Sequence, residues 1–201
     1  MFDHRLRPLI DPPLNAAARL IVSGGVSANA VTLAGAAAGV AAGVAIAGGH
    51  FGAGLALILF NRILDGLDGA VARRTTPTDF GGYLDALCDY VFYIAVPLGF
   101  AAAAPQNLWP ALTLVASFVL TAVSFLSFAA LAAKRGLTTE AQGKKSFYYA
   151  AGLAEGGETI AVFIAFCLWP QWFGPLAYAF AALCLVTVAG RLAAARSLLV
   201  D

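Results

Sequence analysis

Six apolar runs, each about the roughly 20 residues that a helix needs to cross a bilayer, leave this chain little choice of fold. They lie near 27–48, 51–73, 81–104, 109–133, 150–169 and 172–194, and connections between them are short. Charged residues make up only 11% of the 201-residue chain, where a soluble domain carries about 25%. A polytopic, all-α membrane protein with six transmembrane helices follows. The fifth span is the weakest, because Glu155 and Glu158 fall in its first turns. No repeat or second domain interrupts the pattern, so residues 1–201 read as one membrane domain.

The first 22 residues lack a continuous apolar core, and no secretory signal peptide is expected. Arg5, Arg7 and Arg19 are scattered among Leu6, Leu9, Ile10, Leu14, Leu20 and Ile21. A short helix over Leu14 to Val22, after Pro12-Pro13, suits the membrane surface; an irregular polar leader is the alternative. Residues 1–23 then form a juxtamembrane segment. Lys and Arg flank the N-terminus, the loops after the second and fourth spans and the C-terminal end, whereas Gly48–His50, Pro105–Leu108 and Pro170–Gln171 carry no charge. By the positive-inside rule both termini and the even-numbered loops are cytoplasmic. Trp109, Trp169 and Trp172 match an outer aromatic belt, and Cys88, Cys167 and Cys184 are small packing residues without metal-ligand spacing. Gly35, Gly39 and Gly43, four apart, let another helix approach the first span closely.

Against this background four aspartates stand out: Asp65-x-x-Asp68-Gly69-x-x-Ala72-Arg73, seven residues, then Gly81-x-x-x-Asp85-x-x-x-Asp89. Carboxylates in a membrane are costly and mark function. Asp65 and Asp68 share one helix face, as do Asp85 and Asp89. At 1.5 Å rise per residue, Asp68 lies ~8 Å before Arg73 and Asp85 ~6 Å after Gly81, with Asp65 and Asp89 both at ~12 Å. An antiparallel pair would bring the acids together in two tiers. Four such charges ask for divalent cations, and Mg²⁺ or Mn²⁺ prefer oxygen ligands shared with phosphate; two ions would polarise a phosphoryl group and its leaving phosphate together. Gly69 and Gly81 leave room for a ligand, and Arg73 suits phosphate oxygens. Arg62 either serves a phosphate or carboxylate in the site or pairs with Asp65 at i,i+3. Asn61 is expected only to bond a neighbouring helix.

These residues resemble the CDP-alcohol phosphotransferase family, whose signature has all eight specified positions matched here, from Asp65 to Asp89. Ser27-Ala28-Asn29-Ala30-Val31-Thr32 is similar to that family's Pro-Asn-x-x-Thr pattern, with Ala28 in place of proline. Asn61-Arg62 and Lys145–Tyr149 look closest to a little-characterised bacterial inner-membrane branch. The resemblance implies transfer of a phosphatidyl group from CDP-diacylglycerol to an alcohol, with release of CMP. Asp65, Asp68, Asp85 and Asp89 would hold two Mg²⁺ or Mn²⁺ ions, and Asp89 would take the proton from the attacking hydroxyl. Asn29, Thr32, Gly69, Ala72, Arg73 and Gly81 would form the nucleotide pocket. The lipid bilayer and a homodimeric partner are implied as well, and no nucleic acid is expected.

The acceptor is less legible. Lys134, Arg135, Lys144 and Lys145 suit a phosphorylated alcohol or, alternatively, anionic lipid. Glu155 and Glu158 beside Tyr148 and Tyr149 suit an amine, or simply favour a helix N-terminus. Two other functions fit the carboxylates: a silent protein that binds CDP-lipid, and a cation transporter. Charge vanishes from the outer half of every span, which disfavours transport.

Overall fold

A computed structural model describes residues 3–136 and 156–199, all helix and connecting turns with no strand among them. Among the described residues the α-helices are, in order, α1 (Asp3–Ser23), α2 (Ala28–Ala47), α3 (Phe51–Ala72), α4 (Asp79–Ala103), α5 (Leu108–Lys134), α6 (Gly156–Leu168) and α7 (Phe173–Leu199). Single 3₁₀ turns at Pro105–Asn107 and Pro170–Trp172 lead into α5 and α7.

The helices begin where side chains satisfy their first amides. Ser27 caps α2 by accepting from the Ala30 N–H at 3.3 Å, and Thr78 caps α4 by accepting from Gly81 N–H at 3.0 Å. Gly25 and Gly49 turn the chain after α1 and α2 with φ of +75° and +77°, a conformation that costs glycine least. The end of α3 and the start of α4 therefore come back antiparallel through a six-residue turn, 73–78.

Among the described residues, four helices are long and apolar enough to cross a membrane: α2, α4, α5 and α7. This is fewer than the six spans expected, for two physical reasons. The 22-residue α3 is long enough but carries Arg62, Asp65 and Asp68, and α6 has only 13 described residues. Val44, Ile63, Val119, Val123 and Val186 all point away from the protein's own core, as lipid-facing side chains do.

The N-terminal helix differs from the expectation in extent and in setting. It starts at Asp3 and runs through Pro12 and Pro13, although each proline removes an i−4 hydrogen bond. Packing holds it. Ala18 is fully buried with Val31, Leu67, Ala70 and Val71, and Leu14 and Ile21 pack against that cluster. Leu14 lies where a side chain on Gly66 would have to go, so α1 braces the turns of α3 that carry Asp65 and Asp68.

The glycine stripe of α2 does what its spacing predicts. Gly35 faces Leu64 of α3, Gly39 faces Phe92 of α4, and Gly43 lies against the Ala95 carbonyl. Below this crossing, an aromatic core of Phe92, Phe100, Phe163, Phe166 and Phe173 joins α4, α6 and α7; Phe100 and Phe173 stack at 4.5 Å. Arg191 of α7 donates to the Thr121 carbonyl of α5 at 3.0 Å, linking the far pair of helices. Trp109, Trp169 and Trp172 are exposed at the opposite end from the aspartates, where the aromatic belt was expected. Cys88, Cys167 and Cys184 are unbridged, the latter two buried.

Candidate active site

The C-terminal turns of α3 and the N-terminal turns of α4 bring the four aspartates to one end of the bundle. All four line a single small cavity of about 10 Å³, together with Thr32, Asn61, Arg62 and Cys88 among others; that is space for one water-sized occupant. A larger cleft of about 200 Å³ adjoins it, sharing Thr32, Asp68 and Asp85. Asn29, Gly69, Ala72 and Gly81 line this second space. Five of the six expected nucleotide-pocket residues therefore surround one cleft.

Arg73, the sixth, is not in the lining. Its Nη1 instead lies 3.2 Å from where a Gly69 Cβ would sit. The space that Gly69 provides is thus taken by a guanidinium beside the cleft. Gly81 behaves similarly: a Cβ there would meet Thr78 Oγ1 at 3.1 Å and Asn29 Oδ1 at 3.2 Å. Gly81 lets the start of α2 close against the start of α4.

Sequence reasoning missed Thr76, Pro77, Thr78 and Gly82, which also line the cleft. The signal was present, since Thr78-Asp79 is a helix-start pair three residues before Gly81. It places the N-terminus of the 25-residue α4 on the cleft, and unpaired amides of a first helical turn favour phosphate.

Asp68 is 6% exposed and accepts a hydrogen bond from Thr32 Oγ1 at 2.7 Å. Thr32 comes from α2, so one charge-assisted bond ties the pocket helix to the carboxylates. Replacing Thr32 by Val leaves Asp68 buried without this donor, and we expect a loss of about 2 kcal/mol, read as a lower melting temperature in detergent micelles. Asn61 donates from Nδ2 to the Gly35 carbonyl at 2.8 Å, the interhelix bond anticipated for it.

Arg62 resolves in favour of carboxylates, and of two at once. Nη2 donates to Asp89 Oδ1 at 3.0 Å, and Nη1 stands 3.5 Å from Asp65 Oδ2. Nε donates to Asn61 Oδ1 at 2.7 Å, and the guanidinium lies 4.6 Å from the centre of the Phe92 ring. The donor chemistry around the small cavity, four carboxylates and a hydroxyl, suits a hard divalent cation. Yet no three Asp, Glu, His or Cys side chains among the described residues stand in metal-holding geometry. The residues fit the ion in kind and place, and two of the four carboxylates pair with Arg62.

Lys134 and Arg135 end α5, and Glu158 lies in the first turn of α6. Lys144, Lys145, Tyr148, Tyr149 and Glu155 lie outside the described residues.

The sequence model for CDP-alcohol phosphatidyltransferase matches residues 26–190. The chain is 47% identical over 188 residues to inner membrane protein YnjF of Escherichia coli strain K12, covering 93% of this chain and 91% of that protein. Its fold is similar to the crystal structure of Mycobacterium tuberculosis phosphatidylinositol phosphate synthase (PgsA1) in complex with manganese and citrate. The TM-score is 0.72 at 25% identity, over 89% of this chain and 87% of that one. The same enzyme with CDP-DAG bound gives a TM-score of 0.65 at 26% identity, covering 89% and 91%.

Proposed function

The chain belongs to the CDP-alcohol phosphatidyltransferase family, and from that premise we propose that it transfers a phosphatidyl group from CDP-diacylglycerol to an alcohol, releasing CMP. The observation that carries this reading is the adjoining of two spaces. A cleft large enough for part of a nucleotide meets a carboxylate-lined cavity at Asp68 and Asp85. The cytidine and diphosphate occupy the cleft, against Asn29, Thr32, Gly69, Ala72 and Gly81, with the first turn of α4 and Arg73 supplying positive potential.

Asp65, Asp68, Asp85 and Asp89 are the residues that would hold Mg²⁺ or Mn²⁺, for which two ions are proposed. When bound, the metal neutralises diphosphate charge and stabilises the departing CMP phosphate. Thr32 fixes the rotamer of Asp68. Asp89 accepts the proton of the acceptor hydroxyl as its oxygen attacks the phosphorus next to the diacylglycerol, and the phosphoanhydride bond to CMP breaks. The charge asymmetry of the sequence supports both termini, and the site, on the cytoplasmic side of a bacterial inner membrane, with residues 1–201 acting as one domain.

The test is CMP release by purified protein in mixed micelles containing CDP-diacylglycerol and Mn²⁺ or Mg²⁺. Glycerol 3-phosphate, inositol phosphate, inositol, serine and choline are offered separately. Acceptor-dependent CMP with one of them, abolished by EDTA and restored by metal, is the expected outcome. Metal-dependent donor binding without CMP from any acceptor would instead favour a silent CDP-lipid-binding member, and no donor binding at all would remove the donor assignment.

A further inference from the structure

We propose that Arg62 is a built-in counter-cation that occupies the carboxylate box in the absence of metal and competes with the divalent ion for Asp65 and Asp89. The inference rests on the metal-box reading of the four aspartates given above. Its basis is how fully the guanidinium is held. Two of its nitrogens meet Asp89 at 3.0 Å and Asp65 at 3.5 Å. Its third nitrogen bonds Asn61 at 2.7 Å, and its face lies on Phe92. Asn61 is itself 3% exposed and anchored to the backbone of α2 through Gly35. Arg62 thus has a prepared seat made from α3 and α4 and tied to α2 through Asn61, and half of that seat consists of groups that are not metal ligands.

The consequence is electrostatic. Four carboxylates line one cavity, and without a cation their mutual repulsion would force α3 and α4 apart at this end. Arg62 supplies one positive charge from within the fold, so the box can form before metal arrives. An incoming divalent ion then meets a like charge already bonded to two of its ligands, and cations this close in a partly buried site repel each other. Asp68 and Asp85 face the nucleotide cleft, whereas Arg62 pairs with Asp65 and Asp89, so Asp68 and Asp85 are open to the first ion. Asp65 and Asp89 become available only as the guanidinium yields.

The experiment measures Mn²⁺ binding by electron paramagnetic resonance and melting temperature with and without Mn²⁺, on the full-length protein in micelles without nucleotide. Arg62→Met keeps an apolar stem against Phe92 and removes the charge. We expect its metal-free form to melt lower than wild type, its affinity for Mn²⁺ to rise roughly tenfold or more, and saturating Mn²⁺ to close the gap in melting temperature. Arg62→Lys, which keeps the charge but cannot bridge both carboxylates, should melt between the two and bind Mn²⁺ more tightly than wild type by a smaller factor. It serves where the Met variant does not fold. Unchanged or weaker Mn²⁺ binding in the variants, with wild type binding normally, overturns the competition and leaves the metal-box reading intact. Absence of Mn²⁺ binding from wild type and variants alike overturns the metal-box reading and this inference with it.

Discussion

Asp89→Asn is expected to lower acceptor-dependent CMP release by about 10²–10⁴-fold, the range lost when a general base is removed. Asparagine has nearly the same size, and its carbonyl can still accept from Arg62 Nη2, now 3.0 Å from Asp89 Oδ1. The seat of the side chain in α4 is therefore kept, and so is the fold. In the proposed mechanism, what is lost is the ability to take a proton from the attacking hydroxyl, together with one anionic ligand. The proposed seat of CDP-diacylglycerol is the cleft on the other side of Asp68 and Asp85, so its binding should change by much less than turnover. Equilibrium binding of the donor alongside CMP release separates the two effects. Turnover within about tenfold of wild type would place the base elsewhere, whereas parallel loss of donor binding would make Asp89 chiefly a ligand.

The path from residues to this site was readable to different depths. Helical periodicity with 1.5 Å rise brought the four aspartates together in two tiers at one end of a helix pair, and they line one cavity; regular geometry over short distances is what sequence spacing encodes well. The role of Gly35, Gly39 and Gly43 was readable for the same reason. Side-chain direction at helix ends was not. Arg73 lies over Gly69 instead of in the cleft, because a long flexible side chain at a C-terminal cap has several positions that spacing alone does not distinguish. The reach of α1 was underestimated because Pro12-Pro13 reads locally as a break, while the packing of Leu14 and Ala18 on α3 is a tertiary effect. Arg62 shows the same limit. Its i,i+3 relation to Asp65 is local and was visible, but its shorter bond goes to Asp89, 27 residues away on another helix.

Gly43→Val should have the largest effect on the fold itself, although Gly43 touches no carboxylate. A Cβ at this position would lie 2.5 Å from the Ala95 carbonyl oxygen of α4, and 3.0 Å from its carbon. A Cβ on Gly99 would in turn collide with the Gly43 backbone. The two helices touch main chain to main chain, so no side-chain rotation can make room, and the helix axes must separate. Overpacking of a close-packed contact costs about 1–3 kcal/mol where neighbours can shift. Here the neighbours are backbone, and a cost at or above ~3 kcal/mol is expected, a large part of the ~5–15 kcal/mol that holds a domain together. Separation also reaches the chemistry, because α2 carries Thr32 and α4 carries Asp85 and Asp89. Size-exclusion profiles in detergent should show aggregated or absent protein for Gly43→Val, and a reduced melting temperature with weakened Mn²⁺ binding for Gly43→Ala. Gly52→Ala is the matched control: it lies in α3 with open space around its missing Cβ, and alanine there should be neutral or stabilising by ~0.5–1 kcal/mol. Equal tolerance at both positions would mean that the α2–α4 crossing is not what sets the spacing of the carboxylate box.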